Sequence, residues 1–388
     1  LLLEWEKAAY DAVRTGAPLN GLGGKQIAVD ATSPILLVFP GLTGGSHSKY
    51  VRHLMLLGRQ AGYRGVVFNY RGYGIPLATP MATTSVDVSD FGHVIDHIAA
   101  QNPGAPLFAV GFSMGANMLV KLLGLRGGGD QTLLTAAPSS DTLNGSSSSS
   151  VAAAAAANAP GHRRLPITAA ISVANAFCYN RLSENLRRPV PSLLYSRFLA
   201  YLIKRRMLQL PANRAVLAAT GQFNLKAAMS AQTIWDIDDR FTRHVYQLPS
   251  VQEYYRVSSS LPHVPHVNVP LLCLNALDDP FVGSHTGGSS SDQQRQPSSA
   301  ALSSSHGPAP SLGGLQQQQQ QDALTADAAC LPVLECMNNP NIILAVTDKG
   351  GHCGWETGLL PQRNSPWMLH VVMDYIRSVM SVQTSART

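Results

Sequence analysis

Six short apolar runs along the chain alternate with segments whose apolar residues recur at helical spacing. Each run is rich in Val, Ile, Leu or Phe and nearly continuous, which is typical of parallel strands covered on both faces. The runs are Ile35–Phe39, Gly65–Asn69, Leu107–Val110, Ala169–Val173, Leu271–Leu274 and Ile342–Val346. The helical patterns are Tyr50–Ala61, Ser85–Gln101, Ala116–Leu125 and Ser365–Val379. This order predicts an α/β fold with a mostly parallel, doubly wound sheet, in which ligands bind beyond the carboxyl ends of the strands.

The alternation stops between Asn175 and Pro265, where the sequence carries helical patterns and many aromatic residues. We expect helices at Leu193–Leu208 and Ala212–Asp236. The stretch is interpreted as a helical cap inserted between two core strands. Its aromatic residues would line an acyl pocket, although packing against the core explains most of them. The predicted domain organisation is a core at 1–174 and 266–388 with a cap at 175–265.

Two low-complexity segments interrupt the predicted core. Residues 127–164 are rich in Gly, Ser and Ala, and residues 283–327 are rich in Ser, Pro and Gln. Neither segment has the apolar periodicity that is needed to bury enough surface to offset the entropy of ordering. We expect both to be insertions in surface loops, where added length costs little.

Composition allows a large core and argues against a nucleic-acid partner. The chain has 388 residues, of which 45% are hydrophobic, and its formal net charge is +6. The densest basic cluster, Lys204-Arg205-Arg206 with Arg197 nearby, is too short for a nucleic-acid footprint. We interpret it as a solvated or lipid-facing helix side, so that peripheral membrane contact through the cap is an expectation. The oligomeric state stays open.

Cysteine and histidine usage predicts neither a disulfide scaffold nor a metal site. The five cysteines form no C-x-x-C pair, and their odd number favours free thiols in a reducing compartment, the cytoplasm or an organelle. Neither an H-E-x-x-H motif nor a glycine-rich nucleotide motif occurs, so we expect no metal site and no cofactor. The sequence has no apolar run of 18 residues and no secretory leader. Because it begins with Leu1 rather than Met, we expect a fragment or processed product, and any upstream membrane anchor would lie outside it.

The strongest chemical signal is the sequence Gly111-Phe-Ser-Met-Gly115, a G-x-S-x-G pattern. In a glycine-rich chain the pattern alone is weak evidence, and an ordinary serine in a surface loop would also explain it. Its context changes this assessment, because a predicted strand precedes Ser113 and a predicted helix follows it. A serine on such a strand-to-helix turn exposes its hydroxyl group, and the small flanking residues let the backbones pass closely. Ser113 is therefore the predicted nucleophile.

A serine nucleophile needs a base and an acid, and in this type of fold they follow the serine in the order acid, then histidine. One late apolar run leads into Asp278 and Asp279, and the last run ends before the glycine-flanked His352. We expect His352 to be the base. Only one of the adjacent acids can face it, and the usual position before a turn former such as Pro280 favours Asp279. Asp278 then has a supporting or turn-capping role.

The loop after the first run, Pro40-Gly-Leu-Thr-Gly-Gly45, is the candidate oxyanion hole. Its glycines would let backbone amides approach a substrate carbonyl. We expect the Leu42 and Met114 N–H groups to be the donors, with Thr43 as an alternate. Alone, the loop would be interpreted as a plain β-turn.

These motifs resemble those of the α/β-hydrolase superfamily, in particular the subfamily of monoacylglycerol lipases and short-chain carboxylesterases that includes the plant embryogenesis-associated proteins. The resemblance covers most of the chain outside the two low-complexity segments. The matching sequences are Pro40-Gly-Leu-Thr-Gly44, Val66-Val-Phe-Asn-Tyr-Arg-Gly72, Gly111-Phe-Ser-Met-Gly-Ala-Asn117, Leu272-Cys-Leu-Asn-Ala-Leu-Asp-Asp-Pro280 and Gly350-Gly-His-Cys-Gly354. The residues at 75–80 and Ala176 depart from the subfamily's pattern, which affects the expected pocket rather than the triad.

The resemblance implies a serine esterase that cleaves short-chain esters or monoacylglycerols without a cofactor, through Ser113, Asp279 and His352. Two alternatives stay open. A catalytically silent lipid-binding or interaction module could use the same fold, although an intact Ser, Asp and His in this order argues against it. Acyl transfer to an alcohol instead of water would need the same residues and would differ only in the acceptor.

Overall fold

The computed structural model describes residues 2–5, 29–73, 75–128, 165–282, 331–356 and 366–385, with residues 2–5 described as backbone only. Apart from residues 127 and 128, the two predicted loop insertions lie outside the described residues. The domain boundaries near residues 174 and 265 stay a prediction.

The centre of the fold is a seven-stranded sheet with the order β1-β3-β2-β4-β5-β6-β7. Strands β2 to β7 pair in parallel, and only β1 runs antiparallel, at the edge beside β3. The strands are β1 (Leu2–Trp5), β2 (Ile35–Phe39), β3 (Arg64–Asn69), β4 (Leu107–Phe112), β5 (Ala169–Val173), β6 (Leu271–Ala276) and β7 (Ile342–Thr347). All six predicted strands are present. The short β1 was not predicted, since four residues give no periodic signal.

Eleven helical segments are found among the described residues. They are α1 (Lys49–Gln60), α2 (Ser89–Gln101), α3 (Met114–Arg126), α4 (Tyr179–Arg187), α5 (189–208), α6 (Pro211–Ala219), α7 (Leu225–Met229), α8 (234–245), α9 (Val251–Ser258), α10 (Val333–Met337) and α11 (Trp367–Ser385). In α5, the segments Ser192–Ser196 and Lys204–Leu208 are π-helical, and Pro189–Pro191 and Arg197–Ile203 are α-helical. In α8, the π-helical segment Asp238–Thr242 joins Ile234–Ile237 to Arg243–Val245. A 3₁₀ turn spans Leu261–His266. No helix in the described part of the chain is long and apolar enough to span a bilayer.

Helices cover both faces of the sheet, as the near-continuous apolar runs predict. Ile35 and Leu37 of β2 belong to the core cluster that contains residues of α2 and α3. Leu36 and Val38 belong to the opposite cluster, with residues of α1 and α11. Because side chains alternate along a strand, one five-residue strand contributes to both layers. The predicted doubly wound α/β fold is confirmed.

The predicted helix Ser85–Gln101 begins later than expected, at Ser89. The Asp87 side chain accepts a hydrogen bond from the Ser89 N–H group at 2.8 Å, which closes a local turn just before the helix. Short polar side chains compete with helical hydrogen bonds in this way. The apolar residues upstream, Val86 and Val88, are nevertheless buried.

The predicted single helix Ala212–Asp236 was also wrong, because this stretch contains α6, α7 and the start of α8. Gly221, with a φ of 64°, follows the end of α6. Asn224 caps α7, since its side chain accepts a hydrogen bond from the Ala227 N–H group. Thr233 and Asp236 form a capping box at the start of α8. Residues with strong capping preference divide an apolar pattern that looks continuous in the sequence.

Polar side chains of α3 connect the core to the base of the cap. The fully buried Lys121 ammonium group donates hydrogen bonds to the carbonyl oxygens of Ser85, Val86 and Val257. One turn earlier, Asn117 donates to the Ser258 carbonyl and accepts from the Ser260 N–H group. These contacts hold the helix that follows Ser113 against the segment before α2 and against α9, the last helix of the cap, and the residues after it.

Candidate active site

Ser113 occupies a sharp turn between β4 and α3, with a φ of 52° and a ψ of −117°. Residues with a side chain rarely adopt positive φ, so this position is strained. The two glycines of the motif make the turn possible. A Cβ atom at Gly111 would lie 2.6 Å from the Cα of Ala116, and one at Gly115 would collide with the Phe39 carbonyl oxygen. The predicted strand-to-helix context of Ser113 is therefore present.

The structure brings Ser113, His352 and Asp279 together at the carboxyl ends of three strands. Ser113 Oγ lies 2.8 Å from His352 Nε2, and His352 Nδ1 lies 2.8 Å from Asp279 Oδ2. An ionised carboxylate can only accept a hydrogen bond, so the Nδ1 atom carries the proton. In the neutral ring, Nε2 is then free to accept the proton of the Ser113 hydroxyl group.

The two neighbouring acids have different partners. Asp279 is fully buried; its Oδ2 atom faces the histidine ring, and its Oδ1 atom accepts a hydrogen bond from the Phe281 N–H group at 2.8 Å. Asp278 Oδ1 accepts a hydrogen bond from the Gly351 N–H group at 2.7 Å. Asp279 therefore contacts the imidazole, while Asp278 contacts the main chain of the loop that carries it.

An aromatic ring fixes the orientation of His352 from one face. The Phe281 ring stacks on the imidazole with a centroid separation of 3.8 Å and an interplanar angle of 13°. On the histidine loop, a Cβ atom at Gly350 would collide with the indole ring of Trp355, whose Nε1 donates to Thr347 Oγ1 at 2.9 Å. The loop is thus packed against the end of β7. Sequence reasoning identified the glycines of this loop but missed Phe281.

The predicted oxyanion loop follows β2 and contains a β-turn, closed by a 2.9 Å hydrogen bond from the Gly44 N–H group to the Gly41 carbonyl. Leu42 and Met114 both line the cavity that contains Ser113, whereas Thr43 is not among its lining residues. Met114 is the first residue of α3, where an N–H group has no acceptor within the helix. Within the described residues, neither the Leu42 nor the Met114 amide donates to a backbone carbonyl. The role of these two amides as oxyanion donors stays a prediction.

Two side chains that sequence reasoning missed hold this loop in place. Tyr50 of α1 accepts a hydrogen bond from the Gly41 N–H group at 2.9 Å, and its ring packs on Phe112 at a centroid separation of 4.7 Å. Arg206, in the cap, donates to the Thr43 carbonyl oxygen at 2.7 Å. No sequence pattern predicts either contact, since the Gly41–Tyr50 pair spans nine residues without a motif and the Thr43–Arg206 pair spans 163 residues.

Ser113 and His352 open into a cavity of about 240 Å³ between the core and the cap. Its apolar wall comes mainly from the cap, with Leu182, Leu186, Leu199, Ile203, Met207 and Ile234 among the lining residues. This lining suits an acyl chain or another apolar group. Of the aromatic residues in the predicted cap, Tyr179, Phe241, Tyr254 and Tyr255 line the cavity, while the other aromatic side chains pack elsewhere or are exposed.

A buried carboxyl group, Asp238 of α8, also lines the cavity. The Tyr255 hydroxyl group donates to its Oδ2 atom at 3.0 Å. Burial raises the pKa of the Asp238 carboxyl to about 7. Sequence reasoning did not single out this residue, since an acid in a helical stretch usually lies on the surface.

The described residues hold no group of three or more His, Cys, Asp or Glu side chains arranged to bind a metal ion. The four cysteines in the described ranges are free thiols. Cys353 lies directly after His352, and burial raises the pKa of its thiol well above the usual value. A neutral thiol is a poor nucleophile, so Ser113 is the reactive group that the geometry favours.

Residues 31–295 match the hydrolase family described as serine aminopeptidase, S33. The chain belongs to this α/β-hydrolase family. The matched range includes Ser113 and Asp279 and ends before His352. The resemblance to the α/β-hydrolase superfamily, stated above from five motifs, is confirmed.

Among curated proteins, the chain is 28% identical to the embryogenesis-associated protein EMB8 of Picea glauca over 89% of this chain and 58% of that protein. It is 26% identical to the human phospholipase ABHD3 over 90% of this chain and 65% of the relative. A monoacylglycerol lipase of Saccharomyces cerevisiae is 24% identical over 84% of this chain and 56% of its own length. The chain thus spans less than two thirds of the length of these relatives. The family contains serine hydrolases of esterase type, and lipases are among the relatives.

Proposed function

We propose that the chain is a serine carboxylic-ester hydrolase that cleaves short-chain esters or monoacylglycerols through an acyl-enzyme on Ser113. One observation carries the proposal: Asp279, His352 and Ser113 form a continuous line of two 2.8 Å hydrogen bonds that ends in the cavity. The lipase relatives support a lipid ester as the substrate. The apolar wall of the cavity supports an acyl chain as the group bound next to Ser113.

In the first half of the reaction, the Ser113 hydroxyl oxygen attacks the ester carbonyl carbon while its proton moves to His352 Nε2. The carbonyl oxygen becomes negatively charged and accepts hydrogen bonds from the Leu42 and Met114 amides. Asp279 stabilises the imidazolium ion that forms. The protonated His352 then donates its proton to the alkoxy oxygen, the ester C–O bond breaks, and the alcohol leaves.

In the second half, a water molecule gives its proton to His352 as its oxygen attacks the acyl carbonyl carbon. The proton then passes to Ser113 Oγ as the bond between this atom and the acyl group breaks. The carboxylic acid leaves and the serine hydroxyl is restored. No metal or redox group takes part in these steps.

The test compares hydrolysis of p-nitrophenyl butyrate by the unmodified chain and by Ser113→Ala. We expect a fall in kcat of about 10⁴-fold or more in the variant, because the residues of a triad act as a unit. Labelling by a fluorophosphonate probe, followed by mass spectrometry, would then locate the adduct at Ser113. Equal turnover by both proteins, or labelling of another residue with Ser113 untouched, would contradict the proposal and favour a silent binding module.

The acceptor and the alcohol group require a separate experiment. Hydrolysis of a monoacylglycerol in the presence of added glycerol should yield free fatty acid as the main product. Formation of a new ester as the main product would show that an alcohol, rather than water, takes the acyl group.

A further inference from the structure

The outer side of α5, a helix of the cap, is an apolar surface that is exposed to solvent. Of the thirteen large hydrophobic side chains that are exposed among the described residues, six fall within residues 190–201. They form the α5 patch: Val190, Leu193, Leu194, Tyr195, Phe198 and Tyr201, with exposed fractions between 38% and 66%. Concentrations of exposed apolar side chains of this kind mark an interaction site more often than single scattered ones do.

The inner side of the same helix is mostly apolar and is buried. Ser196, Ala200, Ile203 and Met207 recur every three or four residues and are at most 4% exposed. A helix that is apolar on both sides is normally buried on both sides. Within the described part of the chain, the inner side of α5 packs on the cap core and lines the cavity, while the α5 patch stays exposed apart from the contact of Tyr195 with Phe281, so most of it is available to a second partner.

The charge of the region restricts what that partner can be. Between Asn185 and Trp235 the sequence contains eight Lys and Arg residues and no Asp or Glu. Arg187, Arg188, Arg197 and Arg205 are exposed on or beside α5. An exposed apolar strip flanked by cations is the pattern of a helix that lies in the plane of a membrane interface, where each cation near an anionic surface adds to binding.

The α5 patch is also connected to the candidate active site. Tyr195 contacts the ring of Phe281 at a centroid separation of 5.6 Å, and Phe281 stacks on His352. On the inner side of the helix, Leu199, Ile203 and Met207 line the cavity. A lipid bound at the outer side would therefore be one helix diameter from the space that leads to Ser113.

We propose that the α5 patch and its flanking arginines dock the protein onto an anionic lipid surface, with the cap facing the membrane. The inference rests on the proposed function in one respect, since docking at this place would deliver a lipid ester to Ser113. It extends that function by naming the surface, the cations and the lipid charge on which delivery depends.

Vesicle sedimentation tests the docking without using the catalytic activity. The full chain carrying Ser113→Ala is mixed with vesicles of phosphatidylcholine alone, or of phosphatidylcholine and phosphatidylserine, and the bound fraction is measured. We expect binding to the mixed vesicles, weakened by salt, and at least tenfold weaker binding to the neutral ones. Equal binding to both kinds of vesicle, or no binding to either, would overturn the proposal.

Two double variants assign the binding to this surface. Leu194→Ser with Phe198→Ser removes apolar area, and Arg188→Glu with Arg197→Glu reverses two charges. Each should weaken vesicle binding at least tenfold. The matched controls are Met337→Ser with Val382→Ser, at side chains that are 70% and 69% exposed, and Arg52→Glu with Arg377→Glu on α1 and α11. Controls that weaken binding as much as the α5 variants would overturn the assignment.

An activity measurement separates this inference from the proposed function. In the chain with an intact Ser113, Leu194→Ser with Phe198→Ser should leave hydrolysis of soluble p-nitrophenyl butyrate within twofold and lower hydrolysis of vesicle-bound monoacylglycerol at least fivefold. Failure of the esterase proposal would abolish both activities in every variant and leave the vesicle binding unaffected. If the α5 variants instead dissociate a dimer and leave vesicle binding unchanged, the patch binds a second copy of the chain and the membrane proposal fails.

Discussion

The Asp278 carboxylate accepts a hydrogen bond from the Gly351 amide, at 2.7 Å, one residue before His352. Its neighbour Asp279 contacts the imidazole ring itself. Two adjacent acids at the end of β6 therefore hold the same histidine in two different ways, one through the ring and one through the main chain. Their substitutions should separate these two contributions.

We expect Asp279→Asn to lower kcat by about 10³- to 10⁴-fold, because an amide in place of the carboxylate no longer fixes the ring in the tautomer that accepts from Ser113. Asp278→Ala should lower kcat by about tenfold, since a displaced loop misplaces the ring. Asp278→Asn keeps an acceptor oxygen for the Gly351 amide and should therefore retain most of the kcat of the unmodified protein. Steady-state hydrolysis of p-nitrophenyl butyrate measures all three. A larger loss in Asp278→Ala than in Asp279→Asn would contradict the roles given to the two acids.

Tyr50→Phe removes the hydroxyl group that accepts from the Gly41 amide. The Gly41 N–H group then lacks its partner and the loop shifts, so the Leu42 amide no longer points at the position of the oxyanion. We expect kcat to fall about tenfold with KM changed less than twofold, because the interaction is made mainly in the transition state. The control is Tyr63→Phe, at a buried tyrosine whose ring packs on Phe108, and it should change neither constant. A change confined to KM would show that Tyr50 shapes the binding cavity instead.

Gly111→Ala places a Cβ atom 2.6 Å from the Cα of Ala116, and backbone atoms cannot move aside as a flexible side chain can. We expect the free energy of unfolding to fall by about 3 kcal/mol or more. Gly92→Ala is the matched control, because its Cβ atom would meet only the ends of two side chains, Arg126 at 3.3 Å and Leu122 at 3.6 Å. In that helix alanine should be neutral or add up to about 1 kcal/mol. Urea denaturation followed by circular dichroism measures both, and equal stability of the two variants would argue against the tight elbow.

The pKa of Asp238, raised by burial from its usual value near 3.8 to about 7, has a consequence for stability. Between these two values the folded protein binds the proton more often than the unfolded chain does, so this group makes the folded state less stable as the pH rises toward 7. Asp238→Asn removes the titration. Its free energy of unfolding, relative to that of the unmodified protein, should increase by about 2 to 3 kcal/mol between pH 5 and pH 8.

The exposed Asp348 provides the control for this pH series. The free energy of unfolding of Asp348→Asn should follow that of the unmodified protein at both pH values. Denaturant titrations at pH 5 and pH 8 measure these free energies of unfolding. If the free energy of unfolding of Asp238→Asn changes with pH by the same amount as that of the unmodified protein, the raised pKa is contradicted.

The parts of this molecule that follow from neighbouring residues could be predicted from the sequence. The apolar runs located every parallel strand, because strands buried on both faces consist mostly of apolar residues. The spacing around Ser113 predicted the elbow, since a side chain on either flanking glycine would collide with the backbone. Strand ends identified Asp279 and His352 as candidates, because parallel strands present their carboxyl ends at one edge of the sheet.

The parts that depend on distant residues could not be predicted. Arg206 contacts the Thr43 carbonyl across 163 residues, and Lys121 contacts the Val257 carbonyl across 136 residues. The residues next to Arg206 and Lys121 in the sequence do not show that these side chains will be enclosed by the fold, or which residues will be their partners. The cap helices were predicted less well for a related reason, since capping side chains such as Asn224 and Thr233 interrupt a periodic pattern without changing its composition.

At position 113, stability and reactivity favour different residues. The left-handed backbone of the elbow would suit glycine, which adopts a φ of 52° without the steric cost that a serine bears. A sequence optimised for folding alone would therefore have glycine instead of serine at this position. The strain that remains is tolerated because the surrounding sheet and helix are packed tightly enough to hold an unfavourable conformation, and the proposed nucleophile thus depends on the rigidity of its scaffold.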